Sequence, residues 1–385
     1  MKRFAPTALM LGNIVTGCAV LAPAGMLVEL SRGLDVSIQT AGLLVTFGAV
    51  MLCVGSPVTA WLTSRIERRT LLTVTLLVIA LTNAASALAP DYRTLLVIRL
   101  VMLAVGALYT PQAAGTAGLI VPEQRRGSTI AYIFLGWSLA VAIGLPLITF
   151  IASRYGWRAA YGGIGLIGCM SCLLLLWRLP GGLVGAPVDL KTWADVGRNR
   201  MIVLLLSITT LQMSGQFVVF TFMGPLLAKL TGAGPDAIGL VFAFYGIFGF
   251  IGAAIGTRIV DSWGAWRTSV LFMVVMLAGV SGWALSAGIY PLMAASVAIW
   301  GLGFASTNSM QQVRLVAAAP ALASASVALN TSVLYIGQAV GSAIGGWLYG
   351  RDLLHAAGYV SAALVALALA TVILSRPRPA AAQPG

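Results

Sequence analysis

Twelve apolar runs, separated by short polar breaks, occupy almost the whole chain: residues 8–30, 38–63, 71–89, 94–121, 130–152, 160–177, 201–229, 238–260, 268–287, 292–316, 327–350 and 357–375. A helix needs about 20 residues to cross a hydrocarbon core of about 30 Å. Each run is long enough or nearly so. With 59% hydrophobic and 9% charged residues in 385, the chain has too little polar surface for water, so lipid is the solvent expected for most of it. The expected fold is all-α and integral to a membrane, with twelve transmembrane helices.

The basic residues orient these helices. If the N-terminus is cytoplasmic, sixteen of the 23 Lys and Arg fall on the cytoplasmic side, six fall outside (Arg32, Arg93, Arg154, Arg158, Lys229 and Arg351), and Arg99 lies within span 4. Both termini are then expected inside. The net charge of +13 needs no nucleic-acid partner, because positive-inside topology and anionic lipid heads account for it. Val15-Thr16-Gly17-Cys18 and Ala22-Pro23-Ala24 resemble cleavage sites of exported proteins. Cleavage there would remove most of span 1 and turn the remaining loops against their charge pattern, so an uncleaved first span is expected.

Chemistry of other kinds finds little support. Cys18, Cys53, Cys169 and Cys172 sit inside spans, and no second cysteine pair or nearby histidine completes Cys169-Met170-Ser171-Cys172 as a metal site. His355, the one histidine, falls in a loop. No metal, no cofactor and no catalytic residue is expected. A membrane enzyme would need clustered acids or histidines at a membrane face.

The chain is also internally duplicated. The loop Gly55-Ser56-Pro57 to Leu62-Thr63-Ser64-Arg65-Ile66-Glu67-Arg68-Arg69 returns as Gly256-Thr257-Arg258-Ile259-Val260-Asp261-Ser262-Trp263-Gly264-Ala265-Trp266-Arg267. Ser64 aligns with Asp261, and Gly144 with Gly341, at one offset of 197 residues. The longest polar stretch divides six spans from six, which gives a first bundle at 1–177, a cytoplasmic linker at 178–200, a second bundle at 201–375 and a cytoplasmic tail at 376–385. Parallel repeats of this kind hold substrate between the halves near the midplane in known transporters.

These residues together resemble the major facilitator superfamily, and within it the twelve-span drug:proton antiporter family, in a branch similar to arabinose-type efflux permeases. The resemblance rests on the paired loops, on Arg99 with Pro111 after it, on Pro122-Glu123-Gln124-Arg125-Arg126-Gly127, on Gly136 to Gly144-Leu145-Pro146, on Gly156-Trp157-Arg158, and on Asn330 to Gly345-Gly346. It implies two pseudo-symmetric six-helix bundles and secondary transport by alternating access. It also implies a multi-pass protein of the bacterial cytoplasmic (inner) membrane, with efflux and drug resistance as the family's usual theme.

Particular residues acquire expected roles. Ser64, Arg65, Arg68, Arg69, Asp261 and Arg267 would form a gating latch, arginines pairing with helix C-termini and neighbouring spans; a merely topogenic basic loop is the alternative. Gly144 and Pro146 would be a flexing contact, because glycine admits close approach and proline removes a backbone bond. Asn13, Arg99, Tyr109, Gln112, Gln212, Gln216, Asn308 and Gln338 would line a solute path. Buried amides cost free energy unless paired or wetted, so they serve either that path or helix-to-helix contacts. Arg99 either faces the cavity or snorkels toward Asp91. None of the ten acids falls mid-span, which leaves Glu29, at the end of span 1, as the proton-coupling candidate or else an interfacial residue.

The expected function is export of a small neutral or anionic organic solute. The chain is expected to be neither an enzyme nor an oligomer: a monomer acting with the lipid bilayer and with protons as coupling ion. A same-fold importer or uniporter and a non-transporting sensor are the alternatives.

Overall fold

A computed structural model describes residues 4–63, 65–122, 125–184, 196–319 and 322–376. Ser64, the Asp261 side chain, Glu123-Gln124, linker residues 185–195 and tail residues 377–385 lie outside the described residues. Among the described residues the helices form twelve rods. Ten of them are long and apolar enough to cross a membrane on length and composition. Spans 10 and 11, Tyr290–Ala318 and Ala323–Gly350, are 29 and 28 residues long and carry Asn308, Gln311, Arg314, Asn330 and Gln338.

Several rods are interrupted, each beside a proline. Span 1 consists of Ala5–Gly25 and a short second piece, Leu27–Gly33. Its long apolar helix ends at Gly25, and the rest of the run expected to reach residue 30 lies in the second piece. Span 7 repeats this plan as Arg200–Phe220 and Met223–Thr231. Span 4 is Tyr92–Gly106 followed by Tyr109–Ile120, broken just before Pro111. Span 5 runs from Arg126–Leu139 through a π-helical turn, Ala140–Gly144, into Leu145–Tyr155. Pro146 cannot donate to the carbonyl of Ala142, and the wide turn before it lets the Leu145 N–H reach Ala140 instead. Spans 2, 3, 6, 8, 9 and 12 are single helices, at Ile38–Leu62, Arg68–Ala87, Trp157–Arg178, Pro235–Trp263, Ala265–Leu285 and Leu354–Leu374.

Burial ranks the rods. About three quarters of spans 1 and 7 is buried (78% and 72%), against 33% of span 12, so spans 1 and 7 are the inner helices of their bundles. Small residues set how closely they are approached. In the second bundle Gly337, Gly341 and Gly345 recur every fourth residue along span 11, where an added Cβ would collide with the span 7 carbonyls of Thr210, Ser214 and Val218. In the first bundle Gly144 lies against Cys18 of span 1 and Gly17 against Ala140. Residue 18 advanced by the repeat offset falls beside Ser214, so the same contact is built twice. Without a hydrophobic force between helices in lipid, such close approach supplies the dispersion contacts that hold them.

The halves meet along two seams. Span 2 packs on span 11, and the π-turn and upper helix of span 5 pack on span 8. The short pieces Leu27–Gly33 and Met223–Thr231 touch at the face opposite the termini, here termed the far face. Gly42 sits on Phe222, Gly239 on Pro146 and Gly246 on the backbone of Ala142, and Arg154 reaches Asp236 at 3.6 Å. These contacts lie toward the far face. Toward the termini, Val54, Val58 and Leu62 of span 2 are exposed, and Gly55 packs within its own half on Ala104.

Replacing Gly341 with Leu drives a side chain into the Ser214 carbonyl and is expected to abolish a monodisperse folded product or lower its melting temperature by several degrees. Gly239→Ala, whose nearest neighbour is 3.7 Å away, should melt like the parent protein in the same fluorescence assay.

Candidate functional site

The polar groups of the first bundle converge on span 1. Pro23 has no N–H, so the carbonyl of Ala19 is left without its helical donor. Arg99 supplies one: its guanidinium donates to the Ala19 carbonyl at 2.6 Å and the Val20 carbonyl at 3.3 Å, and its Nη1 lies 3.4 Å from the Met102 sulfur. The charge stands 5.5 Å from the centre of the Tyr161 ring, and the residue is 1% exposed. Arg99 is thus a clamp across spans 1, 4 and 6. Asp91, toward which snorkelling was the alternative, is engaged as the N-cap of span 4, accepting from the Thr94 N–H at 2.9 Å. Just past the clamp, the Thr149 hydroxyl of span 5 donates to the Gly25 carbonyl at 2.8 Å, where span 1 breaks.

Nearer the termini, Asn13 is fully buried, donating to the Ile133 carbonyl at 2.9 Å and accepting from the Thr110 hydroxyl at 2.6 Å. The Tyr109 hydroxyl donates to the Leu9 carbonyl at 3.2 Å. Gln112 accepts from Arg68, which joins an expected path residue to an expected latch residue.

The rest of the first loop ties to its own half. The backbone N–H of Arg68 donates to Leu183 at 2.7 Å, Arg69 donates to the Leu176 carbonyl at 2.5 Å, and Glu67 accepts from the Gly182 N–H at 2.5 Å and the Thr70 hydroxyl at 2.6 Å. These bonds hold the exposed Glu67 carboxyl below its ordinary pKa. In the second loop the residue corresponding to Arg69 is Trp266, whose indole donates to the Val372 carbonyl of span 12 at 2.9 Å. The backbones differ as well: Gly264 has φ +77, which only glycine adopts readily, whereas Glu67 has φ −55. Arg65 and Arg267 are exposed.

In the second bundle Gln216 is surrounded. Its oxygen accepts from the Tyr245 hydroxyl at 3.1 Å and the Trp300 indole at 3.3 Å, and its nitrogen lies 3.0 Å from the Met213 sulfur. Phe220 and Tyr245 pack ring to ring at 5.0 Å, and Tyr245 meets Trp300 edge-on at 5.3 Å. Gln212, one turn away, is fully buried and neither amide atom has a partner. The oxygen of half-buried Asn308 is also buried and unpartnered, and Gln338 is buried on span 11. Arg314, counted from sequence among the basic residues of the cytoplasmic side, is buried, donating to Gln311 at 3.0 Å and to the Ser375 carbonyl and hydroxyl at 3.2 and 2.5 Å. Its i, i+3 spacing from Gln311 was the available signal. The aromatic shell of Gln216 comes from three spans and has no spacing to betray it.

Glu29 lies on the short second piece of span 1. It lines a cavity of about 140 Å³ between the halves, with Arg32, Thr149, Pro225 and Pro235 among its neighbours. Burial pushes its carboxyl above the ordinary value, against a smaller opposing effect of its own backbone N–H and of Arg32. Among the described residues no group of three His, Cys, Asp or Glu is placed to hold a metal ion.

Two inner helices broken beside prolines, small-residue contacts repeated at one offset and polar groups gathered on spans 1, 4, 7 and 10 are matched by a comparison with known families: the Major Facilitator Superfamily model covers residues 9–335. The chain belongs to the Major Facilitator Superfamily. Superfamily relatives include the inner membrane transport protein YdhP of Escherichia coli O157:H7, 30% identical over 96% of this chain and 95% of that protein. A probable sugar efflux transporter of Mannheimia succiniciproducens is 25% identical over 91% and 88%. Among solved structures, a D-xylose-proton symporter superposes with a TM-score of 0.80 at 15% identity, covering 98% of each chain. A bacterial homologue of the lysosomal transporter Spinster gives 0.74, also at 15% identity, over 98% and 99%. These two likenesses show a shared fold.

Arg99→Ala orphans the Ala19 carbonyl in an apolar setting, a loss of about 1–3 kcal/mol. Thermal unfolding in detergent should register it as a lower melting temperature, with Arg99→Lys recovering part because one donor is retained.

Proposed function

We propose that the protein is a secondary transporter of the bacterial inner membrane, with both termini cytoplasmic, that exports a small neutral or anionic, hydroxyl-bearing solute by alternating access in exchange for protons. The observation that carries the solute class is Gln212. Its amide offers a donor nitrogen and an acceptor oxygen on an inner helix, buried and unused, which is the complement of a hydroxyl pair on a solute. One turn along the same helix, the Tyr245 and Trp300 rings that hold Gln216, with Phe220 packed on them, provide apolar faces for a sugar-like ring. Among the described residues the buried charged side chains are Arg68, Arg99 and Arg314, a positive interior that disfavours cations and tolerates neutral or anionic solutes. The names of the relatives, inner membrane transport protein and probable sugar efflux transporter, support both the membrane and the direction.

In this reading the far face is external and closed, and the solute enters from the cytoplasmic side. Asn13, Tyr109, Gln112, Gln212, Gln216, Asn308 and Gln338 belong to the path, with Arg99 holding the bend of span 1. The π-turn with Gly144 and Pro146 is the flexing contact, since it bears on Gly246 across the seam. Ser64, Arg65, Arg68, Arg69, Asp261 and Arg267 form the cytoplasmic latch, in which Arg68 couples the loop to Gln112. Glu29 is the proton site: because the closed far face raises its pKa, falling pH protonates it and favours closure, and rising pH favours opening. One chain suffices for transport.

Inside-out vesicles loaded from a panel of sugars, polyols and organic acids test the proposal. Gln212→Leu is expected to raise KM for the transported solute about tenfold or more, with the protein still folded. Equal KM in mutant and parent would remove Gln212 from recognition. Glu29→Gln should flatten the dependence of transport on external pH, and transport indifferent to an imposed pH gradient in the parent would refute proton exchange.

A further inference from the structure

A second site lies on the lipid side of the molecule, where span 2 crosses span 11 toward the far face. A groove of about 70 Å³ opens there between Gln39, Leu43 and Thr46 on one helix and Ser342, Gly346 and Trp347 on the other, with Phe222 as its floor. Its two hydroxyls behave unlike most others in the bundle. Thr16, Thr75, Thr116, Ser286, Ser296 and Thr307 each donate to the carbonyl four residues back, the usual resort of a hydroxyl in a membrane helix. Thr46 and Ser342 do not. They are 9% and 1% exposed, and neither oxygen has a partner. Two residues with unused donors, one from each half of the protein, therefore line one apolar groove.

The rim of the groove is cationic. Arg351 folds its guanidinium over the Trp347 ring, 4.3 Å from the centroid. The adjacent acid, Asp352, is held at 3.0 Å by Lys229, and no carboxylate partners Arg351 among the described residues. Trp347 is 47% exposed, as expected of an aromatic side chain at the interface between headgroups and hydrocarbon. From Trp347 to Ser342 is five residues, about 7.5 Å along a helix. The headgroup layer of one leaflet is about 5–7.5 Å deep, half the difference between the full bilayer and its hydrocarbon core. A phosphate at the level of Trp347 thus places the ester carbonyls of the same lipid at the level of Ser342 and Thr46. Below them Ile336, Val340 and Val50 are exposed apolar side chains along which an acyl chain can lie.

We propose that this groove binds one glycerophospholipid of the far leaflet, with its phosphate on Arg351 and an ester carbonyl accepting from Thr46 and Ser342. Because the two hydroxyls belong to different halves, the lipid bridges the seam and stabilises the closed far face; parting spans 2 and 11 dismantles the site. The inference is independent of which solute the protein carries.

Native mass spectrometry of the full-length protein, released from detergent micelles with added phosphatidylglycerol, tests it. The parent protein should retain one lipid at collision energies that strip the rest. The double variant Thr46→Val with Ser342→Ala, which keeps the shape of the groove, should retain it about fivefold less, as should Arg351→Gln. Thr371→Val, an exposed position whose hydroxyl donates to Leu367, should match the parent and exclude a general effect of losing a hydroxyl. A diether phospholipid, which lacks ester carbonyls, should be held as weakly by the parent as the ester lipid is by the double variant. Equal retention by parent and double variant, or equal retention of ester and ether lipids, overturns the proposal and leaves the groove to water or detergent. Displacement of the lipid by millimolar inorganic phosphate also overturns it, reassigning Arg351 to a soluble anion.

Discussion

A carbonyl without a donor is costly in hydrocarbon, and the first bundle is arranged around the carbonyls that its prolines set free. Pro23 releases Ala19, and Arg99 answers it from 80 residues away. Pro146 releases Ala142, and span 5 widens into a π-turn there. Where span 1 breaks, the Thr149 hydroxyl takes the Gly25 carbonyl. Each repair fixes the direction of the next stretch of helix. The short piece carrying Glu29 and Arg32 can lean across to span 7 because the bend beneath it is held from two sides, and the cavity between the halves exists because of that lean.

The duplication survives in the packing more faithfully than in the chemistry. Gly144 and Gly341 occupy the same place in the two halves and meet the same place on spans 1 and 7. Arg69 and Trp266 also correspond, and both reach a carbonyl near the end of the sixth span of their half, but one does so with a charge and the other with an indole. Arg99 corresponds to Ser296, which only bonds back within its own helix to Leu292. Volume at a helix crossing tolerates little change. A hydrogen-bond donor can be exchanged for another of different charge so long as the acceptor is met. The two bundles are therefore alike in shape and unlike in polarity, with the clamped arginine in one and the free amide of Gln212 in the other.

Much of the fold was legible in the sequence because the signals are local. Apolar runs fix spans by their length, and the offset of 197 that aligns Gly144 with Gly341 marks two related halves. The pairing of Arg68 with Gln112 was not legible, since nothing in a spacing of 44 residues says that span 3 begins beside the second piece of span 4. Arg314 reads in sequence only as a basic residue near the cytoplasmic end of an apolar run, and the return of Ser375 from span 12 shows that it is enclosed. For the candidate site, residue types were readable and their states were not. Asn13 and Gln216 have all their main partners, whereas Gln212 has none, and the sequence treats the three amides alike.

By itself, then, the sequence determined a membrane protein of twelve helices in two related halves, because hydropathy and repeat offset are properties of neighbouring residues or of simple counting. Only the tertiary structure decided which polar atoms are satisfied and which are left open. That depends on pairs 80 to 120 residues apart brought together by small bends in the helices, and a hydrogen bond is made or lost within about 1 Å of such placement.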